Sequence, residues 1–162
     1  MKRLALVLVL AATPAAARDT IGIFGRWGAF RDPAPARCFA ISEPVESLQG
    51  GRWRPFASIA TWPGQGAKGQ LHIRLSRTRA PGAAVVLSVG DRRFELLAGD
   101  ADAWAPDRRA DVAIVAAMRA GRSMSVETLS RTGQPFADAY ALTGAATAID
   151  AAAVACSPQR SR

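Results

Sequence analysis

Gln70-Leu71-His72-Ile73-Arg74-Leu75-Ser76 is the stretch that decides the fold. Leu71, Ile73 and Leu75 point one way while His72, Arg74 and Ser76 point the other. This period of two belongs to a strand with one buried and one solvated face. Working outward, Ala84–Val89 and Arg93–Leu97 flank Gly90-Asp91, a tight hairpin in which glycine supplies the positive φ. Arg37–Ser42 alternates Phe39 and Ile41 against Cys38 and Ala40. Phe56–Trp62 is rich in apolar and aromatic residues, and Ser123–Ser130 sets Met124, Val126 and Thr128 against Ser123, Ser125 and Glu127. Ile21–Phe30 reads as one further strand, weakened by three glycines.

Two segments follow the helical period instead. In Asp111–Ala120, Val112, Ile114, Val115 and Met118 share one arc, with Asp107 or Asp111 as N-cap and Gly121 placed for a left-handed C-cap. Arg119 falls inside that arc, so its stem must snorkel outward. Ala145–Ala155 follows Thr143 as N-cap, and Ala145, Ile149, Ala152 and Cys156 lie along one face, turning Cys156 inward. Six or seven strands and two helices, without strand–helix alternation, predict a mainly β fold. It is an antiparallel β-sandwich with two short helices packed at its edge or end.

The chain has 162 residues, 49% of them hydrophobic and 21% charged, which excludes wholesale disorder. Lys2 and Arg3, the apolar run Leu4–Ala12 and then Pro14-Ala15-Ala16-Ala17 have the anatomy of a secretory signal over residues 1–17. The apolar run is far short of the roughly 20 residues that cross a bilayer, so no transmembrane segment is expected. Residues 18–162 then form a single domain, long enough to bury about 70% of the surface its unfolded chain exposes. Without Lys2 and Arg3, 19 basic residues face 13 acidic ones, a net charge of +6 carried almost wholly by arginine. For an exported chain this argues against nucleic acid as partner. It directs attention to phosphate and carboxylate groups at an envelope surface. The two cysteines predict a disulfide, Cys38–Cys156.

Trp27 followed by Cys38-Phe39-Ala40-Ile41-Ser42-Glu43-Pro44 resembles the opening of the invasion-associated locus B family of exported bacterial proteins. Ala117-Met118-Arg119-Ala120-Gly121, Asp138-Ala139-Tyr140-Ala141-Leu142-Thr143-Gly144 and Cys156 resemble its closing half. The likeness spans roughly residues 22–156. It implies a periplasmic β-sandwich, outer-membrane-associated or secreted, with a role in host-cell entry and no catalytic residues. Ala145 stands where the family often has an aromatic.

Enzyme chemistry finds little support. His72 is the only histidine, on the polar face of a strand, and no G-x-S-x-G elbow accompanies it. One imidazole and two distant cysteines lack metal-ligand spacing, and Gly64–Gly69 lacks the ending of a phosphate-binding loop. Asp100, Asp102 and Asp107 around Trp104 lack calcium-loop spacing, and read as a solvated loop with Trp104 plugging the core. No metal or cofactor is therefore expected. The expectation is a non-enzymatic binding module for an envelope protein or an anionic lipid or glycolipid. Arg74, Arg77 and Arg79 supply charge, and Trp53, between Arg52 and Arg54, supplies an anchor. The alternatives are a small periplasmic hydrolase built around His72, or a structural, chaperone-like module with an exposed sheet edge.

Overall fold

The structure is a computed structural model describing residues 17–46 and 53–157; the segment 1–17 read as a secretory signal lies almost wholly outside them. The described residues form ten strands and two helices, in chain order β1 (Asp19–Phe24), β2 (Trp27–Pro33), β3 (Ala36–Ser42), β4 (Phe56–Trp62), β5 (Ala67–Arg74), β6 (Val85–Val89), β7 (Arg92–Ala98), β8 (Asp102–Trp104), α1 (Arg108–Ala120), β9 (Ser123–Leu129), β10 (Pro135–Ala141) and α2 (Ala145–Ala155). The mainly β reading with two short helices holds. All pairings are antiparallel, and the strands join one sheet in the order β1-β2-β3-β4-β5-β8-β7-β6-β9-β10.

That sheet turns back on itself until its ends meet. The Trp27 indole N–H donates to the Ala141 carbonyl at 2.9 Å. Arg26 N–H donates to Thr143 O at 3.1 Å and Val45 N–H to Ala139 O at 2.8 Å. One hydrophobic cluster fills the enclosed space, with Trp27, Leu71, Ile73, Leu75, Leu87, Val126, Tyr140, Ile114 and Met118 all buried. The helices lie across strands rather than only at a margin: α2 rests on β1 to β4, and α1 on β5 to β7. Ala29, Ala40 and Ala57 of the sheet and Ala145, Ala148 and Ala152 of α2 are all buried. Small residues on both surfaces let helix and sheet approach closely. At the end of α2, Cys156 is bonded to Cys38 of β3, 118 positions away, with 5.7 Å between Cα atoms.

Backbone accounting explains two buried carboxylates. β8 covers only the His72–Arg74 stretch of β5, so main-chain donors before it in β5 and just past the strand's end need other acceptors. Asp111 of α1 accepts from Leu71 N–H and Asp138 of β10 from Ser76 N–H, each at 2.8 Å. Burial pushes both carboxyls above their ordinary range; the Leu71 and Ser76 N–H bonds work against it.

Several local expectations change. Ile21–Phe30 is two strands, because Gly25 turns the chain at φ 57° into the β1–β2 hairpin. β8 and β10 were not anticipated. Asp107 caps α1, accepting from Ala110 N–H at 2.8 Å, but Gly121 is extended rather than left-handed. Thr143 does not cap α2. Gly144 does so without a side chain, at φ 87°, where a Cβ would lie 1.8 Å from Phe24 O. Arg119 does reach outward, to a two-pronged pair with Asp150 at 2.6 and 3.0 Å that joins the helices and lowers the Asp150 carboxyl.

Candidate functional site: an aromatic and arginine surface on the outer face

Because cross-strand partners share a face, the registers place one row of residues across the outside of the sheet. It runs Ile23, Gly28, Ile41, Ser58, His72, Trp104, Leu97 from β1 through β5 and β8 to β7. The inward faces of the same strands carry Ala40, Ile59, Leu71 and Ile73. Large apolar side chains on the outer row are therefore additional to the core. Ile23 is 66% exposed, Leu97 57% and Trp104 38%. Trp104 is not a core plug, as its sequence context suggested. It sits on the outward register of β8, stacked on His72 with ring centroids 5.4 Å apart and planes 5° from parallel. Phe56 meets the other side of the imidazole edge-on, at 5.1 Å.

The charged members follow the next register step, Phe56 to Arg74 to Asp102. Asp102 accepts from the Arg74 guanidinium and lies 2.9 Å from His72 Nε2, so one carboxylate serves both neighbours. Arg74 also lies over the Trp53 ring, 4.9 Å from its centroid. The Trp53 indole N–H donates to Leu75 O at 2.7 Å. Two of the nominated contact residues, Trp53 and Arg74, thus come together, with His72, Asp102 and Trp104 beside them.

Arg77 and Arg79 go elsewhere. Arg77 passes over Phe136, 5.7 Å from the ring centroid, near Asp138. Arg79 is committed to the carbonyls of Gly99, Ala80, Ala83 and Ala98 at 2.7–3.2 Å, which fixes the turn before β6 to the end of β7. Its donors go to main chain.

A second feature adjoins this cluster at Phe56. A groove of about 560 Å³ crosses the tips of β1 to β4, with Ile23, Phe30, Ile41 and Phe56 as apolar walls and Arg26, Arg54 and Glu43 around it. Further along the face, Arg18 and Arg37 lie over the Phe39 ring at 5.0 and 4.5 Å and pair with Asp32 between them. The Arg18 hydrogen bond is the chief reason the Asp32 carboxyl is held below its ordinary value. These two arginines hide Phe39, whereas the groove and Trp104 stay open.

This fold has a solved counterpart. It is similar to the crystal structure of invasion associated protein B from Bartonella henselae, with a TM-score of 0.57 and 16% identity over 81% of this chain and 93% of that one. The fold implied by Trp27, the Cys38–Pro44 stretch and the closing motifs is thus found in the structure. No protein-family model matches the sequence, and no curated protein matches it.

Sequence reasoning missed the grouping of His72 with Asp102 and Trp104. Its signal was the alternation shared by His72-x-Arg74 and Asp102-x-Trp104. The pairing of those segments, 30 positions apart, is a tertiary fact.

Proposed function

We propose that the chain is an exported, non-enzymatic binding module of the bacterial envelope, which docks another envelope component through its outer face. The carrying observation is the open aromatic and charged surface of Trp53, Phe56, His72, Arg74 and Trp104, on strands whose core is complete without it. Aromatic and arginine anchors of this kind dominate binding energy where they become desolvated. The secretory anatomy of residues 1–17 and the disulfide, a bond that persists in oxidising compartments, support export. The likeness in fold to an invasion associated protein fits an exported chain.

The hydrolase alternative draws on the 2.9 Å His72–Asp102 contact. Two observations favour binding over it. Ser58, opposite His72 in the register, turns its hydroxyl to the His72 main-chain carbonyl at 3.4 Å rather than to the ring. Asp102 is shared with Arg74, which suits a structural ion cluster better than a base-orienting partner.

The test is crosslinking and pull-down of the exported protein from intact cells, with wild type beside Trp104→Ser and Arg77→Glu. Loss of the captured component with Trp104→Ser, at unchanged circular dichroism, is the expected result. Equal capture by wild type and Trp104→Ser would refute the outer-face assignment. Recovery from cytosol with the leader uncleaved would refute export.

A further inference from the structure

We infer that the groove at the β1–β2 tip binds a single-chain anionic amphiphile, its acidic head held by Arg26 and Arg54 and its hydrocarbon body lying against Ile23, Phe30, Ile41 and Phe56. This extends the envelope-binding reading by naming a ligand class, and it rests on the adjoining part of the outer face, which shares Phe56 with the Trp104 cluster. The volume of about 560 Å³ falls within the roughly 300–1,000 Å³ of small-ligand clefts.

Charge supplies the first reason. All thirteen acidic residues of the chain lie among the described residues, and none of them pairs with Arg26. Arg54 pairs with Glu43 at 2.9 Å, but its side chain is 85% exposed and free to swing toward a ligand. Two guanidinium groups against one carboxylate leave the groove positive. An exposed guanidinium beside an apolar wall is matched by a head carrying negative charge.

Hydrogen-bonding inventory supplies the second reason, and it separates hydrocarbon from sugar or peptide. Ser42 is buried, and its hydroxyl is directed to the main-chain carbonyls of Arg26 and Glu43, at 2.7 and 3.2 Å. The Trp27 indole N–H is committed to Ala141 O. Beyond the two arginine donors and the accepting Glu43 carboxylate, no lining side chain among the described residues has an uncommitted polar group to offer. A sugar or an extended peptide would bury hydroxyls or amides without partners there, a cost that a hydrocarbon chain does not incur. Burying the 66% exposed Ile23 against an acyl chain instead recovers apolar area now in contact with water.

The experiment titrates the folded protein with decanoate below its micelle concentration, following side-chain resonances of Ile23, Phe30 and Ile41. Acetate, 1-decanol and an acidic peptide serve as comparison probes. Saturable one-to-one binding of decanoate is expected, with 1-decanol weaker and acetate silent. Arg26→Glu should weaken binding by about five- to tenfold, the scale of reversing one exposed charge contact. Ile23→Ser should weaken it by about tenfold through lost apolar burial. Leu97→Ser, outside the groove on the same face, should leave it unchanged. Both weakening substitutions are at exposed side chains, so folding is not at stake. Equal affinity in Arg26→Glu, or no saturable decanoate binding, would overturn the inference. Binding of the acidic peptide at these resonances with decanoate silent would overturn it in favour of a protein partner. Cell fractionation and crosslinking test the envelope reading, and direct titration tests this one, so the two fail separately.

Discussion

Asp138 is the most informative residue to perturb, because two substitutions separate its two physical roles. Its carboxylate is buried on β10 and accepts from Ser76 N–H at 2.8 Å, tying the end of β5 to the strand across the interior. Asp138→Ala removes the acceptor and leaves that N–H without a partner, a loss of about 1–3 kcal/mol. For a chain of this size, that lowers the melting temperature by roughly 3–4 °C per kcal/mol. Asp138→Asn keeps an acceptor oxygen and removes the buried charge. Burial, the largest cause, raises the Asp138 carboxyl; the Ser76 bonds and the nearby Arg77 act the other way. A carboxyl raised in the fold binds a proton that the unfolded chain has already released. Its contribution to stability therefore falls as pH rises from the ordinary carboxylate value through the raised native one, and is flat above. Asp138→Asn should accordingly equal or exceed wild type in stability at pH 8. Wild type should gain on Asn as the pH falls toward 4. Urea unfolding of the three proteins between pH 4 and pH 8 measures this directly. If Asn costs as much as Ala the acceptor argument is wrong, and if wild type instead gains on Asn as the pH rises the charge is holding Arg77.

Two other perturbations carry definite expectations. Replacing both Cys38 and Cys156 by Ala opens a closed loop spanning 118 positions, with an expected loss of about 4–5 kcal/mol on chain-entropy grounds. The urea midpoint should fall by roughly 2 M, and an unchanged midpoint would show the bridge to be energetically idle. Gly144→Ala places a methyl 1.8 Å from Phe24 O at φ 87° and should cost more than about 3 kcal/mol. Gly64→Ala, with nothing within 4 Å of the added methyl, is the neutral control, and thermal melts of the pair decide the matter.

What could be read in the sequence divides along a physical line. Strands that keep a strict apolar alternation, such as β5 and β9, and the helix Ala145–Ala155 were legible because burial of one face is written in the period. β10 was not: its inward positions are Phe136, Asp138 and Tyr140, and the buried carboxylate breaks the apolar pattern for the sake of a distant N–H. β8 is three residues long, Asp102–Trp104, too short to show a period and acidic enough to pass for a loop. The Arg74–Trp53 contact joined two residues singled out separately. The division of the three arginines among a carboxylate, an aromatic ring and four carbonyls depended on where the strand ends point.

The inner face also explains why the outer one is aromatic. α2 can lie close to β1–β4 because the inward positions there include Ala29, Ala40 and Ala57. Bulk on that side would push the helix away and separate Cys156 from Cys38. Apart from Trp27 and Ile59, which are buried inward, the large side chains of β2 to β4 are found outward, as Phe30, Phe39, Phe56 and Trp62. Part of that set is shielded: Arg37 lies over Phe39 and Trp62, and Arg18 over Phe30 and Phe39. No guanidinium lies over the Phe56 or Trp104 ring among the described residues. Were outward aromatics only a by-product of the small inner face, the same shielding would be expected along the whole row. Shielding covers Phe39 and Trp62, and in part Phe30 and Trp53; Ile23, Phe56 and Trp104 are left as the apolar surface a partner would cover, and the arginines beside them set the sign of its charge.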